Sequence, residues 1–193
     1  MNLETKISNG LVRLSEALKA LLWEKAKLYG ISPIQIQILL FVANHKTDIS
    51  NVTYMAKEFN VTKATISDAV RVLLKKEYLD KDFSPIDNRR FNLSLTQLGT
   101  ELVSNLSGFV NPFDEELSSF QQQDLITFYD TLTKLIFQLN QRNIIQVQRT
   151  CYNCKFYKGD KVNRHYCNLL NSPLKGQEIR LDCNEFEELL NRA

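Results

Sequence analysis

Between Asn51 and Leu95 the chain changes its hydrophobic rhythm once, and that change limits the folds open to it. Asn51 to Phe59 suit a short helix, with Met55, Ala56 and Phe59 turned inward. Asn60 is placed for a left-handed turn, which asparagine tolerates better than most residues. Thr62 then caps a longer helix, VTKATISDAVRVLLKK, whose inward face is Ile66, Ala69, Val70, Leu73 and Leu74. Two helices joined by a tight turn, the second longer, form a helix-turn-helix. After Leu79 the helical spacing stops. Leu79 to Phe83 reads as a strand, SPIDNRR as an exposed turn, and Phe91-Asn92-Leu93-Ser94-Leu95 alternates as a half-buried strand does. The hairpin is a wing beside the two helices.

The flanks are helical too. Leu3, Ile7, Leu11, Leu14, Leu18, Leu21, Leu22 and Leu28 form one apolar stripe, stopped by Gly30. A small domain cannot bury such a stripe alone, so it is expected to pack against a second copy of the chain. Ser32-Pro33-Ile34-Gln35 opens the next helix with a capping box and a proline at the first position. Thr96 caps a helix with Leu98, Leu102, Leu106 and Phe109 on one face, and Pro112 is expected to end that region. Ser118-Ser119-Phe120-Gln121 reads as a second capping box, opening a helix with the stripe Leu125, Phe128, Leu132, Leu135, Ile136 and Leu139. The expected fold class is mainly α with a small β wing: a winged helix-turn-helix with long N- and C-terminal dimerisation helices. It spans residues 1–148, with a small metal-stabilised minidomain over 149–193.

Lys63, Ser67, Arg71 and Lys75 recur every four residues and share one face, opposite Ile66, Val70 and Leu73. Lysine and arginine bond guanine edges or phosphates, and Thr62, Thr65 and Ser67 can bond either. The helix N-terminus adds free backbone N–H groups that favour phosphate. The plainer reading is a solvated helix face, and a net charge of +2 does not choose between the two. The wing supports the first: Asp87, Arg89 and Arg90 stand at its tip. An arginine there can enter the minor groove, oriented by the neighbouring acid.

With these elements in this order, the segment resembles the winged helix-turn-helix of the MarR family, the multiple-antibiotic-resistance type of transcriptional regulators. The matching residues are VTKATISDAVRVLLKK and the wing DNRRFNLSLTQLG, with its D-x-R and L-T-x-x-G. The likeness covers roughly residues 3 to 142. It implies a homodimer bound to a palindromic operator in double-stranded DNA, with Asp87 and Arg89 as the wing pair and Lys63, Thr65, Ser67 and Arg71 on the DNA-facing helix. It also implies a small-molecule effector. His45, Phe41 and Tyr54 are candidates for the wall of its site, with core packing as the alternative. Glycine is frequent in the family where this chain has Asn60 and Glu77.

All four cysteines lie in the last 43 residues, in CYNCKFYKGDKVNRHYC and at Cys183. The C-x-x-C pair Cys151 and Cys154 lets two thiolates converge on one metal, and Cys167 and Cys183 complete a four-sulfur set. Four thiolates suit zinc, the cofactor expected here, with a [4Fe–4S] cluster as the alternative. Zinc ribbons usually carry two close pairs, whereas one pair and two spaced cysteines is similar to high-potential-type [4Fe–4S] domains. Either group would stabilise a segment too short for its own apolar core.

The start MNLETKISNG has no signal-peptide pattern, and the longest apolar run, Ile38 to Ala43, is far too short to cross a bilayer. A cytoplasmic protein is expected. No nucleophile–base pair, phosphate loop or carboxylate constellation suggests an enzyme. The expected function is therefore a DNA-binding regulator with a structural or sensory metal site. The alternative is a redox or interaction protein that uses the helices as scaffold.

Overall fold

The computed structural model describes residues 1–83 and 91–189. Two compact units result, Met1–Ala56 with Thr62–Glu116, and Lys57–Val61 with Leu117–Ala193. The sequence boundary was drawn at 148/149; the units divide at 116/117, and the turn 57–61 lies in the second.

In the first unit, α1 (Leu3–Tyr29) starts at Asn2, whose side chain accepts the Thr5 N–H at 2.9 Å. It stops at Gly30, at φ 60°, where glycine takes the left-handed cap without a Cβ penalty. α2 (Pro33–Asn44) begins with the Gln35 side chain accepting the Ser32 N–H at 2.8 Å. Its run of apolar residues is the centre of the unit: Ile36, Ile38 and Leu39 are fully buried. Each such side chain contributes roughly 1.5–3 kcal/mol of transfer free energy.

The helix-turn-helix follows. α3 (Val52–Glu58) is opened by Asn51, which accepts the Tyr54 N–H at 3.0 Å. Asn60 is left-handed at φ 52°, as expected. α4 (Lys63–Lys75) buries Ile66, Ala69, Val70 and Leu73. It ends at Glu77, which takes the left-handed conformation at φ 58° without being glycine. The Tyr78 N–H closes this end on the Leu73 carbonyl at 3.0 Å.

β1 (Leu79–Phe83) and β2 (Phe91–Leu95) pair antiparallel from Leu79 opposite Leu95 to Phe83 opposite Phe91. Leu79 and Leu93 turn to the core. The Leu93 N–H also bonds the Ser50 carbonyl at 2.7 Å, tying the wing to the segment before α3.

Thr96 then acts twice. Its Oγ1 accepts the Gly99 N–H at 3.0 Å to cap α5 (Gln97–Leu106), and donates to the Glu77 carbonyl at 2.6 Å. A Cβ on Gly99 would meet the Tyr78 carbonyl oxygen at 2.0 Å, so no larger residue fits. The L-T-x-x-G motif is thus a lock between the end of α4 and the start of α5. On α5, Leu102 and Leu106 are buried, but Leu98 is exposed rather than on the inner face. Pro112 does not end the helical region. It sits at the second position of α6 (Asn111–Leu117), where a missing N–H costs little.

In the second unit, α7 (Gln122–Gln141) is the long element. Its N-cap is Gln121, which makes no side-chain bond, so the expected Ser118 capping box does not open it. Against α7 lies the tail, a short helical turn at Cys151–Asn153 and a three-stranded antiparallel sheet. The sheet runs β3 (Tyr157–Gly159), β4 (His165–Cys167), β5 (Ser172–Leu174). Tyr129 on α7 donates its hydroxyl to the Ile179 carbonyl at 2.6 Å, and Phe137 meets Tyr152 edge-on at 5.5 Å. Burial pushes the Tyr152 hydroxyl up to about 12. The turn between β3 and β4 is organised by Asp160. Its Oδ1 accepts the N–H groups of Val162, Asn163 and Arg164 at 2.9, 2.8 and 2.9 Å. Those bonds, the Arg164 N–H foremost, hold the carboxyl well below the usual carboxylate range.

Candidate nucleic-acid interface and cysteine cavity

On α4 the buried and exposed faces divide as the spacing predicts. Ile66, Ala69, Val70 and Leu73 are buried, while Lys63, Ser67, Arg71 and Lys75 are exposed along the opposite side. Thr62 and Thr65 are exposed as well, but both work for the helix. Thr62 Oγ1 accepts the Thr65 N–H at 3.1 Å, and the two hydroxyls bond each other at 2.9 Å. Arg71 pairs with Asp68 at 3.0 Å. Both side chains are largely exposed, so the pair is worth little and does not prevent the guanidinium from turning to phosphate. Asp87, Arg89 and Arg90 lie outside the described residues.

Phe41, His45 and Tyr54 come together. His45 stacks on Phe41 with ring centroids 4.0 Å apart, its Nδ1 lies 2.8 Å from the Phe41 carbonyl, and Tyr54 is 6.0 Å from the Phe41 ring. They form one aromatic cluster beside the buried face of α2.

With that geometry, the chain can be placed among known proteins. Residues 29–90 match the MarR family. This segment is similar to the winged helix of the MarR family. The match spans α2, the helix-turn-helix and β1, and ends before β2. Among solved structures, the chain is similar to the complex of MepR with DNA from S. aureus. That likeness has a TM-score of 0.59 at 24% identity, and covers 68% of this chain and 97% of that one. It is also similar to a MarR transcriptional regulator from Methanosarcina mazei Go1, with TM-score 0.60 and 19% identity, covering 72% and 98%. At such identities the likeness establishes the fold. These relatives are spanned almost whole, so the additional length belongs to the present chain. No curated protein matches it. The MarR family is one of transcriptional regulators rather than enzymes. No single helix among the described residues is long and apolar enough to cross a membrane.

The four cysteines meet in the second unit. Cys151 starts the short turn and Cys154 follows it; Cys167 ends β4, and Cys183 lies in the loop beyond Ile179. All four are free thiols, and all four line one cavity together with Phe156, Tyr157, Leu169, Leu174 and Glu185. The Arg180 N–H donates to Cys151 Sγ at 3.3 Å, and the Arg180 guanidinium reaches Cys183 Sγ at 3.8 Å. Burial holds the Cys151 thiol above its usual range, the Arg180 N–H opposes this, and the three neighbouring cysteines add to the rise. Among the described residues, however, no three His, Cys, Asp or Glu side chains are gathered as a single ion requires.

His165, on β4, is not among the residues that line this cavity. It is 6% exposed and its Nδ1 lies 2.7 Å from the Tyr157 hydroxyl. Sequence reasoning missed Arg149 altogether. Its guanidinium is buried between two carboxylates, Glu58 at 2.7 and 3.1 Å and Asp182 at 2.7 and 2.9 Å. Its carbonyl accepts the Cys183 N–H at 3.1 Å. Arg149 lies 91 residues from Glu58, and no local pattern marks it.

Proposed function

We propose that the chain is a sequence-specific, double-stranded-DNA-binding transcriptional regulator that acts as a homodimer on a palindromic operator. The observation that carries this reading is the outer face of α4. Lys63, Ser67, Arg71 and Lys75 stand exposed in one row on the second helix of a helix-turn-helix, above a fully packed inner face. A row of that kind presents cations and hydroxyls to phosphates and base edges in a major groove. The similar fold of MepR, solved as a complex with DNA, supports DNA binding.

A second copy is supported by α1. Leu3, Ile7, Leu14 and Leu18 lie on one side of the helix and are all exposed. A contiguous apolar strip of this length on a helix marks an interaction surface. The twofold symmetry of a homodimer then sets two α4 helices on two half-sites of one operator.

Selection from a random duplex library, followed by binding titrations of the winning sequence, tests the proposal. An inverted repeat should emerge. Its affinity should fall by about 10³-fold or more between ~50 and ~200 mM salt if six or more phosphates are contacted. No enriched sequence, or binding indifferent to salt, would remove it.

A further inference from the structure

Four thiols around one cavity can be spaced for a single ion or for something larger. A zinc ion holds each sulfur at about 2.3 Å, which in a tetrahedron draws the sulfurs to within roughly 4 Å of one another. No three donor side chains among the described residues are gathered in that way. Instead the cysteines stand around a space of about 30 Å³. A single water needs only about 10–15 Å³ on this measure. The wall is apolar and includes Phe156, Leu169 and Leu174, so the space offers ordered water no partners. The pocket is partly open, and its apolar lining gains dispersion contacts only where something fills it. Its lining makes sense with an occupant that sulfur can bond and that fills the space itself.

The chemistry of the donors narrows the occupant. All four are soft sulfur ligands, and His165 is committed to Tyr157. The cysteines come from four places: the start of the turn, its end, the last residue of β4 and the loop after Ile179. Three separate segments of the chain, the turn, β4 and the loop, thus bring four sulfurs to one pocket. The backbone completes the arrangement. Tyr129 fixes the Ile179 carbonyl, and the next residue, Arg180, gives its N–H to Cys151 Sγ at 3.3 Å while its carbonyl accepts the Cys151 N–H at 3.1 Å. N–H donors on cysteine sulfur are a recognised means of tuning an iron–sulfur centre.

We propose that Cys151, Cys154, Cys167 and Cys183 hold a [4Fe–4S] cluster in this pocket, against the apolar lining of Phe156, Leu169 and Leu174. The Arg180 N–H is the positioning group for the Cys151 ligand. The assignment stands on the cavity and its donors and does not depend on the DNA-binding reading.

The full chain, purified anaerobically and then incubated with ferrous iron, sulfide and a thiol reductant, provides the test. The expected result is about four iron and four acid-labile sulfide per chain, with a broad visible charge-transfer absorption. Zinc at one per chain that iron and sulfide do not displace would overturn the proposal, and so would about two irons per chain. Cysteine substitution risks unfolding the tail, so Arg180→Pro supplies a second readout. It removes the N–H donor, and with it the guanidinium beside Cys183, while leaving all four ligands; Arg180→Ala, which removes the guanidinium alone, is the reference for its potential. The cluster should still assemble but with a lower reduction potential, and an unchanged potential would remove Arg180 from the proposal. A colourless Cys167→Ser chain with intact α-helical circular dichroism is expected. Full iron loading of that variant would overturn the ligand set.

Discussion

Arg149 grips Glu58 with two nitrogens, at 2.7 and 3.1 Å, although 91 residues separate them. Asp182, one residue before Cys183, holds the other side of the same guanidinium at 2.7 and 2.9 Å. Glu58 is the last residue of α3, so the end of the first helix of the helix-turn-helix is fastened inside the compact unit that also contains the cysteines. The Arg149 side chain is 7% exposed and Glu58 19%. Removing one partner from such a pair leaves a poorly solvated charge behind. Arg149→Met should therefore destabilise the protein by about 3 kcal/mol, near the lower end for buried pairs because Asp182 remains half in water. Chemical denaturation of the variant checks this, and a loss under ~0.5 kcal/mol, typical of a surface pair, contradicts it.

On α4, Arg71 and Lys63 are the cations expected to meet phosphate. Arg71→Ala should weaken operator binding and reduce the slope of log affinity against log salt by about 0.9 if one phosphate contact is lost. Asp68→Asn releases Arg71 from its partner and removes a negative charge beside the DNA. It should tighten binding, by about threefold on the scale of a surface pair. Fluorescence titration at several salt concentrations separates the two effects.

Gly99→Ala should be more damaging than an exposed-helix substitution that normally favours the helix. Its new methyl would sit 2.0 Å from the Tyr78 carbonyl oxygen, so α5 must move away from the junction of α4 and β1. A cost of about 2–3 kcal/mol is expected from overpacking against backbone. Thermal unfolding measures it, and an unchanged or raised midpoint would show that the junction yields freely.

The helix ends were legible before the structure because they are local events. Thr62 and Thr96 each cap a helix begun within three residues, Gly30 stops α1, and Asn60 takes the left-handed turn its position called for. The wing was legible from alternation, since Leu79 and Leu93 pack inward as the pattern required. Pro112 and Ser118 misled for an equally physical reason. Proline stops a helix it arrives in but suits one it begins, and a serine box works only if the chain turns helical immediately after it, whereas α7 waits until Gln122. The row on α4 was readable from four-residue spacing. The gathering of four cysteines was readable from composition, but the width of the space between them was not, because it depends on where the strands carry Cys167 and on the loop that returns Cys183. Arg149 could not have been read at all, since its partners come from opposite ends of the second unit's sequence.

Acid should loosen the tail through Asp160. Its carboxyl pKa is depressed in the folded state, so the unfolded chain binds more protons over the window between its depressed value and the usual carboxylate value near ~3.9. The stabilisation is complete above that ordinary value and is lost as pH falls through the folded one. Amide signals of Val162, Asn163 and Arg164 should hold their shifts down to about pH 4 and move only below it. In Asp160→Ala the same amides should lose exchange protection even at neutral pH; retained protection there would assign the turn to other contacts.

Dimerisation rests on α1 in the proposed function, and a charge placed on its strip tests it. Ile7→Glu with Leu14→Glu should shift the protein to monomer in sedimentation experiments. Operator affinity should fall by tenfold or more, an energy of about 1.4 kcal/mol. Secondary structure should be unchanged, because both side chains already face outward.

The tie between Glu58 and Arg149 also sets an order of events during synthesis. Glu58 leaves the ribosome 91 residues before the arginine that will hold it. At ordinary elongation rates that is a delay of roughly 5–20 s. Through that interval Glu58, the last residue of α3, lacks the arginine that will hold it. The hinge of the recognition motif is thus among the first parts of this protein to be made and among the last to be finished.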